Sequence, residues 1–503
     1  MSSRTKRFSV GILTGYSAII VNVAYTLLSV PLALHFLGKE EFGLWALAQQ
    51  VAGYFLLLDF GMSNAISRFY ADCKDDVNST EYKRLLATSI MVYAVQGGGI
   101  ALGGIMFSWI APEVFHIPDA ISHSFQVTLL IISISSGVSV ALRSIGGPIW
   151  SFQRMDVMHM LALSSLIINY CVLWLGFRAG WGIYSFALAG IPSVLLAPLV
   201  GFFVCRASGY YPKSGLSEKP SKELFWKIFN FGRDSLLLSL GQQMVNASQI
   251  MLISRTIGLD AAATFTIGVK IYSMAQQFIS KILDSSAAGL TEIYVRGDHS
   301  RFRKRFWDIL NISSLLGCAG AALLMLSNQS LLRIWTKGSI NWPSSCDLVL
   351  ALMLIFTTFS RCFTGIFGLV GNLRPIRSIY FIEGIFFLLC SWYAAENFGI
   401  FGVLFTSLVI HIIVTLIKSI YCSRQYLVKM DPFFKTLYLS ITLIALSSII
   451  NFTINKRISL FNQKLFYEGM AILFIFVLSV FFLCPQNLYN SILKKIYNNK
   501  MPD

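Results

Sequence analysis

The chain has 503 residues, of which 55% are hydrophobic and only 13% charged, and it carries a net charge of +16. A soluble domain has about a quarter of its residues charged, so the roughly three globular domains that length alone suggests are excluded. The Lys and Arg residues lie in short loops between apolar runs, a pattern that reports membrane topology and not a nucleic-acid surface.

In chain order, Met1 to Arg7 is short and basic, and no small-residue cleavage site follows the first apolar run. The start therefore reads as an uncleaved first span. A spanning helix needs about twenty mostly apolar residues. Such runs occur at 9–37, 42–66, 85–111, 126–149, 157–177, 181–204 and 229–253. They continue at 261–293, 306–326, 348–370, 378–395, 399–421, 433–452 and 467–483. These runs are too long for barrel strands, so the expected fold is an all-α polytopic membrane protein of about fourteen helices.

Arg4, Lys6, Arg7, Lys83, Arg84, Lys213, Lys219, Lys222, Lys227, Arg301, Arg303, Lys304, Arg305 and the tail residues Lys494, Lys495 and Lys500 fall in the N-terminus, the even-numbered loops and the C-terminus. The odd loops hold few, among them Lys39, Arg178 and Arg255. That asymmetry places both termini in the cytoplasm. Sliding the sequence on itself by about 220 residues brings Gly38 onto Gly258, Trp45 onto Phe265 and Gly182 onto Gly402. The repeat holds six helices, so the two halves share one topology about an axis along the membrane normal. The expected division is a first lobe 1–206, a linker 207–228, a second lobe 229–424, and a pair of further helices with a tail, 425–503.

Polar residues in hydrocarbon are expensive, and a row of them on one helix face implies water or protein beside it. The seventh span has Ser235, Ser239, Gln242, Asn246 and Gln249; the eighth has Lys270, Gln277, Lys281 and Asp284. The fourth offers Thr128, Ser135, Ser139 and Arg143, the tenth Thr357, Arg361 and Thr364, the twelfth Ser407, His411 and Lys418. Helix–helix hydrogen bonding is the competing explanation for the hydroxyls. Lys281 and Asp284, three apart, are placed to neutralise each other, and Arg68 and Arg143 near span ends to snorkel. His411 reads as a packing or hydrogen-bonding residue. Within the spans Lys270, Lys281, Arg361, Arg143 and Arg68 outnumber Asp59, Asp284 and Glu383. A cavity with surplus positive charge favours an anionic group such as a phosphate, a diphosphate or an acidic sugar, and repels a cationic drug. Pro31, Pro192 and Pro198 lie inside spans and can bend them. Gly97, Gly98, Gly99, Gly103 and Gly104 offer close helix approach.

No nucleotide-binding loop, no metal motif and no nucleophile elbow occurs, and the nine cysteines show no CxxC spacing. Neither an enzyme nor a cofactor is indicated.

The stretches Pro31-Leu-Ala-Leu-His-Phe-Leu-Gly38, Glu41-Phe-Gly-Leu-Trp-Ala-Leu47 and Leu58-Asp-Phe-Gly-Met-Ser-Asn-Ala-Ile-Ser-Arg68 resemble the opening of the Wzx-type polysaccharide flippases. Those proteins belong to the multidrug/oligosaccharidyl-lipid/polysaccharide exporter superfamily. The resemblance implies two six-helix lobes enclosing a cavity, plus two C-terminal helices. It implies a bacterial inner-membrane carrier of an undecaprenyl-pyrophosphate-linked oligosaccharide (an O-antigen, capsule or exopolysaccharide unit), working by alternating access. H⁺ or Na⁺ coupling and glycan polymerase partners come with it. Only Asp59 and Arg68 carry over by position. The spacing of polar residues adds Arg143, Gln242, Asn246, Lys270, Lys281, Asp284 and Arg361 as cavity candidates, with no catalytic residue and no metal ligand. Alternatives on the same fold are a multidrug exporter or an exporter of a lipid-linked peptidoglycan precursor; on another footing, a membrane-embedded glycan polymerase or ligase.

Overall fold

A computed structural model describes residues 3–483 except 153, 214, 216, 217, 371–373, 427–429, 459 and 460. The tail lysines Lys494, Lys495 and Lys500 lie outside the described residues. All regular structure among the described residues is helical, as the apolar runs require. The helices are α1 (Ser3–Phe36), α2 (Lys39–Phe55), the short 3₁₀ turn η1 (Leu56–Asp59), α3 (Met62–Cys73), α4 (Thr80–Val114), α5 (Asp119–Ala141), α6 (Arg143–Ser151), α7 (Met155–Arg178), α8 (Tyr184–Ala189) and α9 (Ile191–Ala207). Then follow α10 (Lys222–Asn246), α11 (Ser248–Thr256), α12 (Leu259–Gly268), α13 (Lys270–Val295), α14 (His299–Trp335), α15 (Ser345–Val370), α16 (Arg374–Tyr426), α17 (Asp431–Arg457) and α18 (Phe461–Leu483).

Eleven described helices are long and apolar enough to cross a membrane. The difference from about fourteen has a physical cause at three places. The run 42–66 is interrupted by η1, and the run 261–293 is interrupted at Val269, between α12 and α13. The third is the stretch Ile376–Gln425, which is continuous in hydrogen bonding but turns at Gly399, with φ 59° and ψ −143°. Its 50 residues would reach about 75 Å as one rod, more than twice the hydrocarbon thickness, so it makes two passes. Pro192 lies inside the single apolar stretch Tyr184–Ala207, next to the one-residue interruption at Gly190, whose dihedrals remain helical.

The first compact unit comprises residues 1–266 and 377–399. Its tightest seam joins α4 to α5. A Cβ on Gly97 would overlap the Gly137 carbonyl, one on Gly137 would overlap the Gly97 carbonyl, and one on Gly104 would overlap Ser133. Lipid gives helices no hydrophobic reason to associate, so backbone-distance packing of small residues supplies the attraction. Gly98, Gly99 and Gly103 point away from that seam and meet nothing. Val95, Leu102, Met106 and Trp109 of α4 are exposed, a lipid-facing stripe on the opposite side.

Helix α10 packs on α3 and η1, and α11 on α2. Gly232 comes so near the η1–α3 break that a Cβ would sit 2.6 Å from the Phe60 carbonyl oxygen. These contacts place residues 229–266 with the first half of the chain, so the unit's limits differ from 1–206 and 229–424. The internal repeat is visible at its start. Leu37 N–H donates to Ala33 and Phe42 N–H to Gly38; with an offset of 220, Ile257 donates to Ile253 and Ala262 to Gly258. Later the match slips by three residues. Gly182 lies in the turn after α7, whereas Gly402 is inside α16 and Gly399 makes the corresponding bend.

The second unit comprises residues 267–376 and 400–503. Helix α14 is its axle, contacting α13, α15, α17 and α18. The last two helices are fixed to α14 by an apolar cluster of Ala322, Leu326, Ile454, Ala471 and Ile475. Hydrogen bonds close both ends of that contact: Thr436 to Asn311 at 3.0 Å, and Ser330 to Glu468 at 3.0 Å.

Candidate functional site

In the first unit, the sequence Leu-Leu-Leu-Asp-Phe-Gly-Met folds as a turn of 3₁₀ helix, two left-handed residues and a fresh α-helix. Phe60 has φ 51° and Gly61 φ 69°. Glycine adopts that region without cost, and Phe60 does so only because its neighbours hold it. The break brings Asp59 into a polar cluster. Its Oδ1 accepts from Ser63 Oγ at 2.6 Å, and its backbone carbonyl accepts from Gln96 Nε2 of α4 at 2.7 Å. The Tyr93 hydroxyl lies near Ser63 and within electrostatic reach of Asp59 and Arg143. Arg143, exposed, is the first residue of α6. Arg68, also exposed, stacks its guanidinium over the Phe231 ring at 5.2 Å, and Lys227 of α10 reciprocates over Phe69 of α3 at 5.1 Å.

Gln242 is half-buried, and Asn246 is exposed as the last residue of α10. The neighbour that touches α2 is Gln243. Its amide lies 2.7 Å from where a Cβ on Gly53 would be, and its carbonyl accepts from the Tyr54 hydroxyl at 3.2 Å. Tyr54 also bonds Ser248 at the start of α11.

In the second unit, Lys270 opens α13 directly after the break and is half-buried, as is Lys281. Asp284 is engaged by Arg361 of α15, with Nη2 to Oδ1 at 3.1 Å. The expected neutralisation of Asp284 by Lys281 is thereby corrected: a residue 77 positions away in sequence reaches it, and the i, i+3 neighbour does not. The two side chains of the pair are 48% and 54% exposed. A charge pair that open within a membrane protein must face water, because lipid would not tolerate it. Lys418 is fully buried and donates from Nζ to Ser360 Oγ at 2.9 Å. His411 donates from Nδ1 to the Ser407 carbonyl at 2.9 Å, the hydrogen-bonding role expected of it.

The hydroxyl rows carry less than their spacing suggested. Thr128, Thr357 and Thr364 each bond a carbonyl four residues earlier in their own helix, at 2.7, 2.7 and 2.8 Å. Such a bond uses the hydroxyl's one proton on its own helix, although Thr357 also accepts from the Tyr272 hydroxyl of α13 at 3.4 Å.

Three polar features escape a reading by span. Gln96 is buried in α4 at 6% exposure. Glu468 is buried in α18 between Ser330 and Lys464, the latter 3.8 Å away. Asp347 is buried at the start of α15, and its Oδ1 accepts from Asn328 Nδ2 at 2.6 Å and from Trp342 Nε1 at 2.7 Å. Trp342 in turn lies flat against Gly268, where no side chain would fit. The two acids sit near run ends, where carboxylates are ordinarily loop residues. A lone Gln in a Gly-rich run has no periodic partner to mark it.

A family model described as "Polysaccharide biosynthesis protein" matches residues 10–287. The chain is 20% identical over 345 residues to the "Uncharacterized membrane protein EpsK" of Bacillus subtilis (strain 168), covering 67% of this chain and 66% of that protein, just under two thirds of its length. Among solved structures it is similar to a multidrug resistance MATE family transporter of the MOP superfamily in an inward-facing conformation. The TM-score is 0.68 at 13% identity, over 82% of this chain and 98% of that one. A MOP superfamily transporter from Pyrococcus furiosus, described as having a binding pocket of reverse polarity, gives a TM-score of 0.61 at 15% identity, over 84% and 94%. The fold is therefore that of the MOP superfamily transporters.

Proposed function

The chain belongs to the polysaccharide biosynthesis protein family, and from that premise we propose that it is a flippase for a lipid-diphosphate-linked oligosaccharide. In this reading it lies in the bacterial inner membrane with both termini cytoplasmic. It carries the glycan head across by alternating access of two duplicated lobes, driven by an ion gradient, while the polyprenyl tail stays in lipid. It transports and does not catalyse.

The single observation that carries the choice of cargo is the charge balance. Arg361 and Asp284 form a water-facing pair, and Lys270 and Lys281 add positive charge to the same unit. In the other, Arg68 and Arg143 stand against Asp59 and Glu383. A diphosphate supplies counter-charge to such a surplus, and a cationic drug does not.

The test is complementation of a deletion strain. Arg361→Ala and Lys270→Ala are expected to reach the membrane at normal level and to abolish surface glycan. Normal glycan display in both overturns the charge argument. Drug hypersensitivity without glycan loss would make the chain an exporter of small molecules, and lysis would make its cargo a peptidoglycan precursor. Repeat units stranded on the outer leaflet would make it a polymerase or ligase.

A further inference from the structure

Asp347 stands apart from the water-facing charges of the second unit. It is 3% exposed, and a carboxylate removed from water needs close donors. Asn328 Nδ2 donates to its Oδ1 at 2.6 Å, and Trp342 Nε1 donates to the same oxygen at 2.7 Å. Its place in the first turn of α15 adds the favourable field of a helix N-terminus. Both donor side chains then converge on the end of α12. Cε3 and Cζ3 of Trp342 stand 2.0 and 2.1 Å from where a Cβ on Gly268 would be. Asn328 is fully buried, and its Nδ2 also points at the Gly268 carbonyl, at 3.5 Å. That pair of contacts settles the orientation of the amide, since its oxygen could donate to neither acceptor. The last carbonyls of a helix lose their regular donors, so the contact meets a need that the break itself creates. All four residues belong to the second unit.

Lys270 comes two residues after Gly268. Val269, between them, has φ −86° and ψ 1°, against a ψ of about −42° in a regular helix. The chain is redirected there, and Lys270 leaves it as the first residue of α13. Lys270 has no acidic partner among the described residues. The direction of its charge is therefore set by the break, and the break by what grips Gly268. We propose that Asp347, Asn328 and Trp342 are positioning residues, a clamp on the α12–α13 break that aims Lys270 at the anionic group of the cargo. The proposal rests on the flippase reading, in which Lys270 binds that group. Covering Gly268 would take only an apolar ring. Apolar burial is non-directional, whereas a hydrogen bond to a fixed carboxylate holds the ring at one angle and ties it to the amide beside the carbonyl.

The test joins local exchange to transport. Amide hydrogen exchange of the purified full-length chain in detergent is followed over the segment 262–276. Asp347→Ala is expected to speed exchange there by about tenfold, the effect of losing a buried hydrogen bond to a charged group. The cluster that joins α14 to α17 and α18 should stay protected as in wild type. Asp347→Asn keeps an acceptor oxygen for both donors and should match wild type in exchange and in surface glycan. Trp342→Phe keeps a ring against Gly268 and loses only the donor; it should give a smaller rise, and it decides the matter if Asp347→Ala misfolds. In the deletion strain, Asp347→Ala should reach the membrane at normal level and lose surface glycan several-fold. Unchanged exchange at 262–276 in the folded variants overturns the clamp. An equal rise along the whole chain also overturns it, because that marks general destabilisation. A loosened break with normal glycan, where Lys270→Ala has lost it, overturns the positioning role. Normal glycan in Lys270→Ala instead sinks the cargo reading, and exchange over 262–276 alone then decides the clamp.

Discussion

Removing Arg361 tests whether its pair with Asp284 stands in water or in a dry interior. Two unit charges at the observed 3.1 Å attract by about 1.3 kcal/mol in bulk water. Screening and the ordering of two long side chains reduce exposed pairs to about 0.2–1 kcal/mol. Both side chains are about half exposed, so Arg361→Ala is expected to lower stability by no more than about 1 kcal/mol. A dry pair would behave differently, because the orphaned carboxylate would cost about 3–5 kcal/mol. The assay is thermal unfolding of the purified chain, run as a cycle with Asp284→Ala and the double variant. A coupling below about 1 kcal/mol, together with lost glycan display, is the expected pattern. A coupling of several kcal/mol would refute the reasoning, since the pair would then be structural and no wet, cationic surface would exist at that place.

Neighbouring glycines of α4 should respond with opposite signs. Gly98→Ala meets nothing and gains up to about 1 kcal/mol of helix propensity, so its melting temperature should rise. Gly97→Leu forces α4 from α5 at the cost of overpacking, about 1–3 kcal/mol or more, and should melt lower. Ser330→Ala leaves the buried Glu468 without its hydrogen-bond donor and should destabilise by about 1–3 kcal/mol, read as a lower melting temperature. The exposed Asp298 caps α14 through the Arg301 N–H, and that bond with the Ser300 hydroxyl holds its carboxyl below its ordinary value of 3.8. A depressed carboxylate stabilises above its unfolded value. The melting advantage of wild type over Asp298→Ala should therefore be full at neutral pH and vanish as pH falls below about 3.8.

Helix class and duplication were legible because they rest on long apolar runs and on glycine turns, as at Gly38 and Gly258. The break in the second run was not. Phe60 takes a left-handed conformation that no propensity predicts for it, and the apolar residues on either side conceal the interruption. The pairing of Asp284 was misplaced for a related reason: periodicity names neighbours on one helix and is silent about Arg361 on another. Spacing also does not say which of Gln242 and Gln243 packs on α2; Gln243 makes those contacts. Consecutive residues of a helix point about 100° apart, and a mixed polar row does not say which direction faces a partner. The Thr rows mix roles that a pattern of letters does not separate: each hydroxyl bonds its own helix's carbonyl, and Thr357 also receives Tyr272 of another helix.

The α4–α5 seam bears on how the chain is made. The two helices follow each other after the short link Phe115–Pro118, and their closest glycine contacts lie between themselves, with only the Phe55 ring of α2 also beside Gly104. Their association needs no residue beyond Ala141, and the loop to be closed is only a few residues long, which makes closure fast. The hairpin can therefore form while the remaining chain is still on the ribosome, leaving a preassembled wall against which later helices dock.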